Sequence, residues 1–255
     1  MPGSEERDPY GVEFRSVAGR AVVVTGGTTG IGRAVARLLA SRGARVLVFG
    51  RHREELDEAL EELRREGGEA HGLVADVSRM DDVRRVFREA DERLGGIDVL
   101  VNNAAVTGGG FEGEALDEIE YVVRTNVAGY VACAREAVER MKRRGEGHVV
   151  NVGSMSADLR EPEGSVYVAT KGAIQAFSES LRKTVNPGGI KVTLIEPGKV
   201  ATDMVEMPDA EKREKEEALE MLRPEDVAAC VYFALVQPRR CDVVALQVRP
   251  HLQVI

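Results

Sequence analysis

The chain of 255 residues has no tryptophan, only 4% aromatic residues and three cysteines. Cys133, Cys230 and Cys241 are odd in number and show neither C-x-x-C nor metal-ligand spacing, which excludes a disulfide framework and a cysteine metal site. A reducing, cytoplasmic compartment is therefore expected. Lysine is scarce, with seven against twenty-eight arginines, and the 35 basic residues are outnumbered by 43 acidic ones. A net charge of −8 and an isoelectric point near 5.3 exclude a surface that neutralises phosphate backbones in bulk, so no nucleic-acid partner is expected. No apolar run is long enough to span a bilayer, and the first twenty residues lack the apolar stretch of a signal peptide, so no membrane association is expected either.

With 43% hydrophobic and 31% charged residues and a mean hydropathy of −0.21, the chain can bury a sizeable core. Short β-branched runs recur at Ala21 to Thr25, Arg45 to Phe49, Gly72 to Asp76, Ile97 to Val101, His148 to Val152, Lys191 to Ile195 and Val243 to Val248. Helical periodicity separates them. Leu56, Ala59, Leu60 and Leu63 precede a Gly67-Gly68 stop; Val83, Val86, Phe87, Ala90 and Leu94 follow Ser78 as a candidate cap and end at Gly95-Gly96. Repeated strand-helix-strand units require crossover connections, which predicts an α/β fold with one doubly wound parallel sheet of about seven strands in a single domain, the Rossmann arrangement. Residues 1–19 are expected to form a flexible arm and 20–255 the domain. The charged stretch Asp209 to Leu222, between Pro208 and Pro224, reads as a solvated helix or, with the residues from 203 onward, as a substrate lid.

Ligands of such sheets sit at the carboxyl ends of the strands, so chemistry is sought there. After the first run stands Thr25-Gly26-Gly27-Thr28-Thr29-Gly30-Ile31-Gly32, opening a helix. Glycines there let backbone amides approach a pyrophosphate at the helix N-terminus, although the spacing is T-G-x-x-x-G-x-G rather than G-x-G-x-x-G. About twenty residues further, where an acid would bind the ribose hydroxyls of NAD, Gly50 is followed by Arg51, His52 and Arg53. A guanidinium suits a 2′-phosphate, which favours NADP over NAD; the alternative is an exposed basic turn at a helix start. The fourth run ends in Asn102-Asn103-Ala104-Ala105, the fifth in Gly153-Ser154-Met155-Ser156, and thirteen residues past Ser154 comes Tyr167-Val168-Ala169-Thr170-Lys171. One helical turn separates Tyr167 from Lys171. A lysine charge about 4 Å away at an effective dielectric of about 20 is worth on the order of 4 kcal/mol, enough to bring a tyrosine from ~10 to about 7 as a general base. An exposed Tyr-Lys pair on a helix is the bland alternative.

Together these motifs resemble the short-chain dehydrogenase/reductase family, in its compact single-domain NADP-type branch, from about Arg20 to the C-terminus. The resemblance rests also on Asp76-Val77, on Asn126 in Arg124-Thr125-Asn126-Val127, and on Pro197-Gly198 with Thr202. It implies a catalytic tetrad of Ser154, Tyr167, Lys171 and Asn126. Tyr167 would be the proton donor or acceptor, and Ser154 would hydrogen-bond the carbonyl oxygen. Lys171 would lower the Tyr167 pKa and hold the nicotinamide ribose, and Asn126 would hold a relay water. It further implies that Asp76 and Val77 touch the adenine, that Asn102 braces the fold, and that Pro197, Gly198, Val200 and Thr202 hold the nicotinamide. The cofactor set implied is thus Thr25, Gly26, Thr28, Thr29, Gly30, Ile31, Gly32, Arg51, Arg53, Asp76, Val77, Asn103, Ala104, Tyr167, Lys171, Pro197, Gly198, Val200 and Thr202.

Two departures stand out. Ala105 replaces the glycine that closes the family's N-N-A-G motif. The C-terminal stretch lacks the glycine-rich ending of acyl-carrier reductases and is more like reductases of small 3-hydroxy acids and varied carbonyls. The expected activity is NADP(H)-dependent interconversion of a secondary alcohol, a 3-hydroxy acid among the candidates, and a ketone or aldehyde. Val106, Ala157, Leu159, Val200, Met204 and Met207 would give a mostly apolar substrate pocket, with Arg160 as a candidate carboxylate partner. The alternatives are a catalytically silent nucleotide-sensing protein on the same fold, and an extended-branch epimerase, against which chain length and the glycine loop both argue. A homodimer or homotetramer is expected.

Overall fold

The central strand β1 (Ala21–Thr25) is five residues with no exposed side chain, and the alternation of its neighbours sends successive residues to opposite faces. The computed structural model describes residues 11–108 and 111–253, with Glu163 described by its backbone alone. After β1 come α1 (Gly30–Ser41), β2 (Arg45–Gly50), α2 (Arg53–Arg65), β3 (Glu69–Val74), α3 (Met80–Leu94), β4 (Val99–Asn102), α4 (Leu116–Val123), a π turn (Arg124–Ala128) and α5 (Gly129–Arg144). The second half adds β5 (Gly147–Val152), α6 (Ser156–Leu159), α7 (Ser165–Val185), β6 (Ile190–Pro197), α8 (Asp209–Glu217), α9 (Pro224–Val236) and β7 (Ala245–Val248). All seven strands are parallel in the order β3-β2-β1-β4-β5-β6-β7. The order reverses between β1 and β4, and the crevice of a doubly wound sheet opens at the carboxyl ends of such a pair.

The alternation divides the core in two. Val22, Val24, Val46 and Val48 pack beneath α1, α2 and α9, while Ala21, Val23, Leu47 and Phe49 pack against α3 and α5. Helical residues at three- and four-residue spacing complete each side: Val35 and Leu39 on one, Val83, Val86 and Phe87 on the other. Truncating a fully buried leucine such as Leu39 to alanine costs about 2–5 kcal/mol.

Strand identities match the sequence pattern, and several boundaries shift. The third strand runs over Glu69–Val74 rather than Gly72 to Asp76, because this edge strand pairs from Glu69 opposite Arg45 to Val74 opposite Gly50 and needs no apolar alternation on its open side. Asp76 is thereby released into the crevice, where its carboxylate accepts the Ser78 amide at 2.9 Å. Ser78 does not cap α3; Arg79 occupies that position and Asp82 accepts the Asp76 amide at 3.0 Å. The fourth strand starts at Val99 and extends to Asn102, which pairs with Asn151 of β5. The last strand begins at Ala245, two residues later than the pattern implied.

The first ten residues of the arm expected over 1–19 lie outside the described residues. Further along, Arg15 donates its backbone N–H to the Val236 carbonyl at 2.7 Å and pairs with Glu146, and Val17 is buried. The candidate lid is rooted in a two-stranded neck. Ala201 donates to the Leu222 carbonyl, and Leu222 to the Lys199 carbonyl, each at 2.9 Å, while α8 between them buries no residue. Among the described residues no helix is long and apolar enough to cross a membrane.

Candidate active site

The turn after β1 is stapled to the end of β4. The Thr25 hydroxyl accepts the amides of Asn103 and Ala104 at 2.9 and 2.8 Å, and the Asn103 side chain returns hydrogen bonds of 3.1 Å to the carbonyls of Thr25 and Gly26. A methyl at Gly32 would lie 2.1 Å from the Gly26 carbonyl, so only glycine lets α1 press this closely on the turn. Thr29, ahead of α1, makes no side-chain cap, and the first turn holds no acid. The helix therefore presents amides and partial positive charge, as a pyrophosphate requires. A cavity of about 460 Å³ opens there, lined by Gly26, Thr28, Thr29, Gly30 and Ile31. Asp76, Val77, Asn103, Ala104 and Thr202 complete its walls. Thr25 and Gly32 shape it from behind.

At the end of β2 a Cβ on Gly50 would fall 2.4 Å from the Thr28 hydroxyl, so the position is closed to a carboxylate side chain in this backbone. Arg51 lines the cavity with His52. Its guanidinium donates to the Tyr121 phenol oxygen at 2.7 Å and lies 5.8 Å from that ring's centroid, and the phenol donates to the Asp76 carboxylate at 3.1 Å. Arg53 does not line the cavity: as the first residue of α2 it turns along the helix and pairs with Asp57 at 3.7 Å. These residues fit a dinucleotide with a phosphate on its adenosine ribose: amides for the pyrophosphate, a guanidinium for the extra phosphate, and no acid at Gly50 to repel it.

A second cavity of about 230 Å³ adjoins the first at the ends of β5 and β6 and holds Ser154, Tyr167 and Lys171 together. Ser154 follows β5, its hydroxyl accepting the Ser156 amide at 3.1 Å and donating to the Ser156 hydroxyl at 3.1 Å. Burial pushes the Tyr167 phenol above its ordinary value and the neighbouring Ser154 hydroxyl pulls it partly back. Lys171 is buried; burial lowers its ammonium to about 8, and it donates to the Val152 carbonyl at 3.1 Å while lying 5.5 Å from the centroid of the Tyr167 ring. In this state the direction at Tyr167 is set by loss of solvent around the phenol and not by the Lys171 charge. Asn126 sits in the π turn, fully buried, its amide used by the Val106 backbone at 2.9 and 2.8 Å and by the Thr170 hydroxyl at 3.2 Å. Pro197, Gly198, Val200 and Thr202 form the floor. Of the apolar residues expected around a substrate, Leu159, Val200 and Met204 line this cavity, joined by Met155 and Val205. Ala157 is buried away from it, Met207 does not reach it, and Arg160 points back to the Ala157 carbonyl.

The short chain dehydrogenase family profile matches residues 20–213. The chain belongs to the short-chain dehydrogenase family. An uncharacterized oxidoreductase of Staphylococcus aureus is 31% identical over 91% of this chain and 97% of its own, and a farnesol dehydrogenase of Aedes aegypti 35% identical over 91% and 96%. A short chain dehydrogenase from Burkholderia cenocepacia, solved in complex with NADP, superposes with a TM-score of 0.83 at 28% identity, covering 92% of this chain and 98% of that one.

In this short-chain dehydrogenase several residues around the site carry no motif of their own. Tyr121 joins Arg51 to Asp76 from α4. Tyr130, fully buried in α5, donates to the Val152 carbonyl at 3.0 Å, the same oxygen that Lys171 uses. The Asn102 amide donates to the Asn151 side chain and the Tyr130 carbonyl at 3.0 and 3.1 Å, the bracing role implied for it. Their partners lie far away in sequence, so local spacing holds no signal for them.

Proposed function

We propose that the protein is an NADP(H)-dependent oxidoreductase that interconverts a secondary alcohol and a ketone or aldehyde. The observation that carries this reading is the meeting of Ser154, Tyr167 and Lys171 in one cavity, continuous with a crevice that offers Gly50 and Arg51 where NAD would call for an acid. Arg51 would hold the 2′-phosphate, the α1 amides the pyrophosphate, Asp76 and Val77 the adenine, and Lys171 with Pro197 to Thr202 the nicotinamide riboside. When bound, the nicotinamide supplies the hydride in reduction and takes it in oxidation.

The chain's own residues manage the proton and the developing charge. Ser154 donates to the substrate oxygen, where negative charge grows during reduction. Tyr167, in the same cavity as Ser154, gives its phenolic proton to that oxygen, and the reverse reaction returns it. The phenol's raised pKa keeps it protonated at neutral pH, ready for reduction, and makes its anion a strong base that draws a proton back. Lys171 supplies the positive charge beside that anion. Asn126, held between Val106 and Thr170, fixes the π turn against the turn of α7 that runs from Tyr167 to Lys171. The substrate walls, Met155, Leu159, Met204 and Val205, favour a neutral carbonyl with an apolar substituent, in keeping with the name of the mosquito relative. Assembly as a homodimer or homotetramer is part of the proposal and is read by light scattering.

The test is NADPH oxidation against a panel of ketones, aldehydes and 3-oxo acids by wild type and Tyr167→Phe. Wild-type turnover on at least one carbonyl is expected, with the variant slower by roughly 10²–10⁴-fold while its NADPH affinity is kept. Variant activity within tenfold of wild type sinks the mechanism. A wild type that binds NADPH yet turns over none of the panel favours the silent nucleotide-sensing alternative.

A further inference from the structure

A cavity of about 540 Å³ lies at the opposite edge of the sheet from the active site, under the amino ends of β1, β5 and β6. Its charge runs against that of the protein. In a chain of net charge −8, five cationic side chains and three carboxylates line it, an excess of two positive charges.

The carboxylates are already engaged. Glu146 pairs with Arg15; Asp98 pairs with Arg144 at 3.3 Å and accepts the Ala21 amide at 2.8 Å. Asp242 pairs with Lys191 at 3.4 Å and accepts the Asn186 side-chain amide at 2.8 Å. The carboxyl ends of α7 and α9 also reach this cavity, and Lys191 donates to the carbonyls of Pro238 and Cys241 in the loop after α9. Arg20, Arg239 and Arg240 are left with no carboxylate at ion-pair distance among the described residues. Three titratable groups sense the resulting potential. Burial and then Arg15 lower the Arg20 guanidinium, with Glu146 and Asp98 opposing; burial, Lys191, Arg20 and Arg15 hold the His148 imidazole down at about 3; and the Arg15 hydrogen bond leads the effects lowering Glu146, with Arg20 and Arg239 adding to it. His148 is neutral here: Thr193 donates its hydroxyl proton to the Val243 carbonyl, so it accepts from the imidazole Nε2–H at 2.8 Å.

We propose that this cavity is a second ligand site, which binds a small phosphate-bearing anion through Arg20, Arg239 and Arg240. A phosphate monoester carries about −1.5 to −2 charges at neutral pH, which matches the local excess where a single carboxylate does not. Guanidinium groups take its oxygens in bidentate pairs. A volume of 540 Å³ exceeds what the phosphate needs and is of the size that holds a small organic ligand, so the ester's organic part fits beside it. The site is separate from the dinucleotide crevice and does not depend on which cofactor fills that crevice.

The experiment is calorimetric titration of inorganic pyrophosphate at constant ionic strength into wild type, Arg20→Met, an Arg239→Met/Arg240→Met double variant and Arg51→Ala. NADPH is kept saturating so that the glycine loop does not compete. A loss of at least tenfold in affinity in the double variant, with Arg51→Ala unchanged, supports the site. The two exposed arginines can be replaced without touching the core, so the result stands even if Arg20→Met fails to fold. Equal affinity in wild type and the double variant, or loss in Arg51→Ala alone, overturns the proposal. Citrate binding as tightly as pyrophosphate overturns the phosphate class. NADPH binding to wild type is titrated first, so failure of the cofactor assignment is seen separately, as no NADPH binding at that stage.

Discussion

The Arg51 guanidinium donates to the phenol oxygen of Tyr121 at 2.7 Å, seventy residues away in sequence, and that phenol donates onward to Asp76. An exposed arginine at the end of β2 is thereby given one orientation, at the place where the proposed cofactor carries its extra phosphate. Replacing Arg51 by alanine is expected to weaken NADP binding at least tenfold and NAD binding by less than threefold. Tyr121→Phe, which keeps the ring and removes both hydrogen bonds, is expected to weaken NADP by a smaller factor. The double variant should fall short of the sum, because the two residues act through one contact. Calorimetry with both dinucleotides reads all three; equal losses for NAD and NADP reject the role of Arg51.

Lys171 is held at a cost in this state. Its ammonium has a folded pKa of about 8 against an ordinary 10.5. Below pH 8 both folded and unfolded chains carry the proton and the full penalty is present; between about 8 and 10.5 only the unfolded chain binds it, so stability rises with pH across that window. Lys171→Met is therefore expected to raise the thermal midpoint of the cofactor-free protein at pH 7 and to abolish turnover. The gain should shrink toward pH 10.5. A variant less stable than wild type at pH 7 contradicts this reading.

His148 works in the opposite range. Its imidazole is depressed from 6.5 to about 3 by burial and the cations around it, so below pH 6.5 the unfolded chain binds a proton that the folded chain refuses. Stability from this group is complete above that pH and falls by roughly 1.4 kcal/mol per unit as the solution becomes more acidic. His148→Gln, able to keep a donor toward Thr193, should flatten the loss between pH 6.5 and 4.5. Thermal melts in a buffer free of phosphate measure it, and parallel acid profiles for the two proteins count against the assignment.

Gly32→Ala tests the fit of α1 against the turn. The added methyl would meet the Gly26 carbonyl at 2.1 Å and the Asn103 amide at 2.5 Å, both parts of the Thr25 staple. Overpacking of this kind costs about 1–3 kcal/mol. A lower thermal midpoint and weaker binding of both dinucleotides are expected together, in contrast to Arg51→Ala, which leaves the midpoint in place.

The residues that chemistry assigns to strand ends were legible because each motif is local: the glycine turn, Ser154 after β5, and Tyr167 and Lys171 one turn apart. What was not legible depends on distant partners. Tyr121 and Tyr130 reach the site from α4 and α5 by hydrogen bonds spanning 70, 45 and 22 residues. Arg53 looked equivalent to Arg51 in a basic triplet, yet the start of α2 turns it onto Asp57 and gives His52 the place at the cavity wall. The edge strand β3 escaped its true bounds because its pairing is set by β2 rather than by its own hydrophobicity. The amino-end cavity draws on the ends of β1, β5, β6 and α9, which no single stretch of sequence brings together.

The neck formed by Lys199, Ala201 and Leu222 separates two kinds of change in this protein. Beyond Val205 the excursion returns to the body at Leu219, whose carbonyl accepts the Leu252 amide at 3.0 Å, so the length between these two points is nearly independent of the sheet. Doubling such an excursion adds only about 0.6 kcal/mol of closure entropy. The stretch with α8 between Val205 and Leu219 is consequently expected to behave as an exchangeable cassette: a shorter or longer one grafted there would admit bulkier or smaller carbonyls while Thr202, Met204 and the proton-handling residues stay untouched.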